Sequence, residues 1–415
     1  MIDILKKISS FSKHEIKTLD YGPFTRYTAN SGSIRYVKDG NGYRKTTNTG
    51  KTAKIMCTGD LMCEPVMSKA VCFNGKFLFE LCFSRVRDVF TASDFAIANL
   101  ETMVYCEAPY AVDKHRIDGR YHCNAPAEYL EALRYAGFDA LAMANNHSAD
   151  TGPEGLAATI QQVDDYGFMH TGAYRNESDK RYILAEINSI KVAVFSYTEH
   201  INSNLDKDYF TENDREVMIN RYSVEKLKND LADARKDGAE FSICYIHFLC
   251  KEYSHELMER QKKTAREIAE AGIDCIMGSH AHAIQPYDRI QTSDGRTVPV
   301  VYGLGNFITS DNTGMITHKS IIYCLELGRT ENGSICILNE GCVPCRTVEG
   351  LQKSSFIVFP TPAEWRDGKE NEFLTGIEKE IISEIGDKLP VLRKRWKSEV
   401  DTITAQRMND QNILV

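Results

Sequence analysis

No uninterrupted apolar run in this 415-residue sequence approaches the roughly 18–20 residues that cross a bilayer. Residues 1–17 carry charges throughout and lack the apolar stretch of a secretory leader. Positive charge is not in excess either: 50 Lys and Arg stand against 58 Asp and Glu, a formal net charge of −8. That balance excludes a general nucleic-acid binder, which needs a basic face, and a protein held to anionic lipid by charge. A disulfide framework is also missing, because the 13 cysteines are odd in number and scattered over a long chain. The expectation is a reduced, cytoplasmic protein with free thiols. Cys342-Val343-Pro344-Cys345 has no second pair at similar spacing, so it reads as packing thiols rather than a zinc knuckle. Internal repeats and long low-complexity runs are absent too. What remains is an ordinary globular composition, 42% hydrophobic and 26% charged, with material for a large core.

Residues 1–52 are polar and weakly patterned, and 30–52 read as a loose arm or linker. Beyond them, short apolar runs recur at 55–58, 95–100, 139–144, 191–197, 241–247, 274–278 and 298–303. Each has the length of a strand, and several are apolar on both faces, as strands of a helix-covered sheet are. Helical patterns lie between them. One spans 124–136 with Asn124 as its cap and Gly137 as its stop, one spans 153–166, one spans 223–237 from a Ser cap, and one spans 256–271. Each ends at a glycine. Strands alternating with helices define an α/β fold over residues 53–350. From about residue 361 the pattern turns polar and helical (364–402), giving a C-terminal helical extension over 351–415.

The chemistry lies at the ends of these strands. The runs lead into Gly59-Asp60, Glu101, Asn145-Asn146-His147, His247, Gly278-Ser279-His280-Ala281-His282 and Gly305-Asn306-Phe307. Ligands of open α/β sheets bind beyond the carboxyl ends of the strands. Asp, Glu, Asn and His there are oxygen and nitrogen donors for a divalent cation such as Mn, Fe or Zn. Taken singly, each has a plain structural explanation as a turn residue or a hydrogen-bonded imidazole. Together they are better explained by one shared metal site, because only 11 histidines exist and four of them fall at strand ends.

The ordered set of Gly59-Asp60, Asn99-Leu100-Glu101, the Asn-Asn-His run of 145–152, a strand-end His, the His-x-His run of 278–286 and Leu304-Gly305-Asn306-Phe307 resembles the CapA family of capsule and poly-γ-glutamate biosynthesis proteins. That family is related in fold to calcineurin-like metallophosphoesterases. The resemblance covers residues 54–307. It implies a metallophosphoesterase-like four-layer α/β/β/α sandwich holding up to two divalent transition metal ions. Asp60 and His282 would bind one ion, Asn146, His247 and His280 the other, and Glu101 would lie between them. His147 would protonate a leaving group, and Asp150 would either orient His147 or cap the next helix. Membrane association is the family's alternative to the cytoplasm.

Two cations close together polarise an oxyanion and activate water. The expected function is therefore metal-dependent hydrolysis or group transfer on an anionic polymer or peptide-like substrate such as poly-γ-glutamate. The alternatives are a non-catalytic, metal-stabilised accessory protein in a capsule-synthesis complex, and a phosphoesterase on small phosphate esters. The sequence departs from the pattern at Met62, where phosphoesterases usually carry a His ligand, which leaves the first ion one donor short. It departs again at 247–253, where the run to Glu252 and Tyr253 has an extra residue and no Gly. Lys114, Arg116 and Arg120 form a basic segment after Glu101 that reads as a solvated loop, with contact to an anionic substrate as the alternative.

Overall fold

The computed structural model describes residues 35–46, 50–107, 116–117, 120–121, 123–202, 209–311, 315–349, 356–366, 368 and 371–393. In chain order its main strands are β1 (Tyr36–Asp39), β2 (Gly42–Lys45), β3 (Ala53–Leu61), β4 (Phe95–Leu100), β5 (Ala140–Ala142), β6 (Met169–Thr171), β7 (Ile183–Ile187) and β8 (Ile190–Thr198). They continue as β9 (Phe241–His247), β10 (Cys275–Ser279), β11 (Ile284–Gln291), β12 (Thr297–Leu304), β13 (Asn306–Ile308), β14 (Lys319–Arg329), β15 (Ile335–Glu349) and β16 (Phe356–Pro360). The longer helices are α1 (Glu128–Ala136), α2 (Gly152–Asp165), α3 (Val224–Lys236), α4 (Glu259–Glu270) and α5 (Glu372–Ile385).

The strands build two mixed eight-stranded sheets. One runs β1-β2-β7-β8-β9-β10-β12-β11, with β8, β9, β10 and β12 parallel. The other runs β6-β5-β4-β3-β14-β15-β16, with β13 added beside β3. Side chains alternate along each strand, and the alternation decides the layering. Ile55, Cys57, Phe95 and Ile97 of the second sheet pack against Val192, Val194, Ile243, Tyr245, Cys275 and Met277 of the first. Their neighbours Met56, Ala96 and Ala98 pack outward with α1 and α2. On the far side, Ala193, Phe195, Cys244, Ile246 and Ile276 pack with Leu227 and Leu231 of α3 and Ile268 of α4. The result is helices, sheet, sheet, helices, the expected four-layer α/β/β/α sandwich.

Several expectations change in detail. Two strands form within the stretch read as a loose arm. β1 and β2 make a hairpin that joins the sheet edge through β7, and its polar residues are used in pairing. Lys45 Nζ lies 2.7 Å from Asp94 Oδ1, and Arg35 Nε donates to Asp139 Oδ1 at 3.0 Å. β11 carries Pro286, which reads against a strand, yet it is the outermost strand, where a missing donor is tolerated. Asn124 does not cap a helix. Its carboxamide bonds both the N–H and the C=O of Tyr105, and α1 begins after Ala127. Ser223 does cap α3, accepting from Lys226 N. The C-terminal pattern is not one continuous helix: α5 stops at Gly386, and Arg393 beyond it pairs with Glu364 and Glu378. Residues 394–397, read as part of that helix, lie outside the described residues, as does Lys114. Among the described residues no helix is long and apolar enough to cross a membrane.

α5 presses Phe373, Leu374, Ile377, Ile381 and Ile385 into the core between the sheets. Ile381 is fully buried there. Ile381→Ala should cost about 2–5 kcal/mol of stability, read from urea unfolding followed by circular dichroism. A loss below about 0.5 kcal/mol would show that α5 is only loosely applied to the sandwich.

Candidate metal centre

The parallel strands β3, β4, β5, β9 and β10 end on the same side of the sandwich, and their carboxyl ends carry the site. Gly59 is required one residue before Asp60, because a Cβ there would sit 1.9 Å from the Gly305 carbonyl oxygen. That close approach lets Asp60 N donate to Gly305 O at 3.1 Å and sets Asp60 beside Asn306 of β13. Gly278 is required for the same reason, with a Cβ only 2.1 Å from Tyr302 O. It keeps β10 tight against β12 before the chain turns into His280 and His282. Both of those histidines hold left-handed backbone, φ 88° and 50°. Non-glycine residues adopt this at a cost of about 1–3 kcal/mol and keep it where function demands the placement.

Asp60, Glu101, Asn146, His247, His280 and His282 are all buried and converge. Asn99 Nδ2 donates to Asp60 Oδ1 at 2.8 Å and to Glu101 Oε2 at 3.1 Å, fixing the two carboxylates side by side. Glu101 Oε1 lies 3.6 Å from His247 Nε2 and 3.7 Å from His282 Nε2. Donor atoms of Glu101, His280 and His282 lie within 4.8 Å of one another, as do those of Asp60, Glu101 and His247. Asp60 and His282, which the resemblance groups on one ion, also lie together, with Asp60 Oδ2 3.5 Å from His282 Nδ1. Glu101 is common to both donor groups. Asn146 Oδ1 meets His247 Nε2 at 2.9 Å, and Ser279 Oγ meets His247 Nδ1 at 2.8 Å.

The charges are poorly balanced without a cation. Asp60 Oδ2, Glu101 Oε1 and His280 Nδ1 are buried and have no hydrogen-bond partner. Burial, and then the charge of Asp60, push the Glu101 carboxyl well above its ordinary range. Burial lowers His247 and His280 well below the usual imidazole value, reinforced by neighbouring imidazoles. His282 goes the other way: burial opposes its protonation, but the charges of Glu101 and Asp60 raise it to about 10. His282, 3.5 Å from Asp60 and 3.7 Å from Glu101, is thus the imidazole that the acidic pair draws toward protonation when no cation is bound. Oxygen and neutral nitrogen donors with orphaned lone pairs are what a borderline divalent cation requires, so the residues fit that group.

Beside this cluster, His147 Nδ1 pairs with Asp150 Oδ2 at 2.7 Å, and Cys123 N donates to the same oxygen at 2.6 Å. Asp150 therefore touches His147, while the residue at the start of α2 is Thr151. Asn202 bridges the two parts: its Oδ1 accepts from Asn146 Nδ2 at 3.0 Å and its Nδ2 lies 3.3 Å from His147 Nε2.

Several residues near the centre carry no assignment from the sequence. Asn99 and Asn306 stand inside the strand-end motifs, and the pairing of Asn306 Oδ1 with His282 Nδ1 at 2.8 Å explains the latter. His200 gave no signal. It lies just beyond β8, its ring lies 4.2 Å from that of His280, and burial and then Arg221 lower its pKa to about 4. Tyr253 stacks on His282 at 5.6 Å, and Glu252 Oε1 lies 3.8 Å from His280 Nε2. Met62 is buried and offers only a thioether. Cys342 and Cys345 lie three apart on β15 and point into different cores, so they cannot chelate one ion. Arg116 and Arg120 belong to a short hairpin, Arg116–Ile117 with Arg120–Tyr121.

The two sheets and the helices outside them define an α/β/β/α sandwich with acidic and imidazole side chains gathered at its strand ends. Residues 54–311, more than half of the chain, match the model of the family described as "Bacterial capsule synthesis protein PGA_cap", and the chain belongs to that family. Its relatives include the capsule biosynthesis protein CapA of Bacillus anthracis, 26% identical over 251 residues, covering 60% of this chain and 58% of that protein. The PGA biosynthesis protein CapA of Bacillus subtilis strain 168 is 25% identical over 256 residues, covering 60% of this chain and 61% of its own. The match therefore spans less than two thirds of either relative. Among solved structures, the calcineurin-like phosphoesterase YfkN of Bacillus subtilis aligns over 80% of this chain and 97% of its own, at 14% identity and a TM-score of 0.41. That level of likeness says nothing about activity.

Proposed function

We propose that this protein is a metal-dependent hydrolase or group-transfer enzyme acting on an anionic, peptide-like polymer of the capsule or poly-γ-glutamate type. The observation that carries the reading is the convergence of Asp60, Glu101, Asn146, His247, His280 and His282, with unpaired carboxylate oxygens, beside the His147–Asp150 pair. The relatives' names supply the polymer. Divalent cations held by those residues would supply Lewis acidity at an acyl or phosphoryl centre and a nucleophile at neutral pH. The chain's own residues do the rest. Asn99 holds the two carboxylates in register, Ser279 and Asn306 orient His247 and His282, and Asp150 holds His147 with Nε2 directed toward Asn202. An imidazole so held can give a proton to a leaving amine or alkoxide.

The test is metal analysis of the purified protein, followed by assays with Mn, Fe and Zn on poly-γ-glutamate and on a chromogenic phosphodiester. Cleavage of the polymer supports the reading. Cleavage of the ester alone favours a phosphoesterase, and bound metal with no turnover favours an accessory protein. Met62 is the observation on the accessory side, since it brings no nitrogen or oxygen donor to the strand end. Met62→His should raise metal occupancy toward two ions per chain, measured by elemental analysis after dialysis. Unchanged stoichiometry would show that position 62 does not face the centre.

A further inference from the structure

A second group of donors lies next to the centre and shares none of its assigned ligands. Cys123, His147 and Asp150 are buried, and one donor atom from each lies within 4.8 Å of the other two. We propose that they form a separate site for a thiophilic divalent cation of the zinc type, whose filling takes His147 away from proton transfer. That consequence rests on the function proposed above; the site itself does not.

The arrangement is tethered from both sides. Cys123 N holds Asp150 Oδ2 at 2.6 Å, and Cys123 O accepts from Met103 N at 3.0 Å, two residues after Glu101. Asp150 Oδ1 is buried with no hydrogen-bond partner, so one carboxylate oxygen remains for a ligand while the other is fixed. Donors around tetrahedral zinc, bonded at about 2.0–2.3 Å, stand about 3.5 Å apart. Closing the site therefore asks for movements of about an ångström.

Charge balance favours the same ion. A thiolate, a carboxylate and a neutral imidazole sum to two negative charges, which a divalent cation cancels, leaving a neutral buried unit. Loading releases one proton, from the Cys123 thiol to solvent. The imidazole's Nδ1 can face the cation or donate to Asp150, but not both, so occupation and the His147–Asp150 pair exclude each other. The thiolate also separates this site in selectivity. The neighbouring cluster offers only oxygen and nitrogen, donors that also accommodate Mn, whereas sulfur selects the softer ions.

Cobalt is the probe, because only a thiolate ligand gives an intense near-ultraviolet sulfur-to-cobalt charge-transfer band. Titrating the full-length protein with Co(II) should produce that band. Cys123→Ser should abolish it, Cys250→Ser should keep it, and Zn but not Mn should displace it. His147→Ala and Asp150→Asn, which leave the thiol in place, should each weaken the cobalt affinity read from the band at least tenfold. His282→Ala, which strips the other cluster, should keep the band. A folded protein without the band at saturating cobalt, a band that survives Cys123→Ser, or affinities unmoved by both His147→Ala and Asp150→Asn would overturn the site. A band with no turnover of any substrate would leave the site standing and sink the enzymatic reading alone.

Discussion

Glu101→Gln should remove metal binding almost completely while making the metal-free protein no less stable. Glu101 belongs to both donor groups, so its loss takes one ligand from each. Gln keeps the volume and can still accept from Asn99 Nδ2, which now bonds Glu101 Oε2 at 3.1 Å. What disappears is a carboxyl that burial and the charge of Asp60 hold well above its ordinary range, so at neutral pH it costs stability whether it stays ionised or takes up a proton. A neutral isostere removes that cost, and about 1 kcal/mol of added stability is expected for the metal-free chain. With metal the order reverses. A cation present at a hundred times its dissociation constant stabilises the wild type by about 2.7 kcal/mol, and the variant forgoes most of this. Thermal unfolding with and without Mn or Zn, in both proteins, measures all four states. If added metal raises the unfolding temperature equally in the two, Glu101 is not shared between cations. If Glu101→Gln destabilises the metal-free chain by several kcal/mol, the carboxylate is instead a structural acceptor.

Glu101 also marks what the sequence makes visible. Each strand that ends at a donor is buried on both faces, so its apolar run and the polar residue after it stand out together, as at Phe95–Leu100 before Glu101 and Phe241–His247. Those elements and their donors were legible for that reason. β1, β2 and β11 were not. They lie toward the sheet edges, where Lys45 and Arg35 are satisfied by ion pairs with Asp94 and Asp139, and where Pro286 costs nothing. Asn124 looked like a cap because Pro126 lies two residues on, but its carboxamide is spent on Tyr105. The supporting residues of the site were hidden for another reason. Asn202 and His200 come from the turn after β8, and what places them is long-range: Asn202 N donates to Asn146 O at 2.9 Å, and Glu199 N donates to His247 O at 3.0 Å. No spacing within a motif encodes contacts across such separations.

His147→Ala should separate proton transfer from metal binding. His147 contributes no donor to either cluster containing Glu101, so the variant should keep the wild-type metal content there. A positioned general acid contributes about 10²–10⁴-fold, and that loss is expected in kcat on the polymer, whose leaving group needs a proton. On an activated ester with a weakly basic leaving group the deficit should shrink to about tenfold or less, because that group departs without protonation. Asp150→Asn should fall between wild type and His147→Ala. The Asn oxygen can still accept from Cys123 N or from His147 Nδ1, but it no longer stabilises a protonated imidazole as a carboxylate does. The leaving-group dependence is the decisive measurement. A deficit that stays equal on both substrates would mean that His147 shapes the site rather than donating a proton. Mn lost along with activity would place His147 among the ligands of the Glu101 clusters, and its pairing with Asp150 would then serve to orient a ligand, as partners of metal-bound imidazoles do.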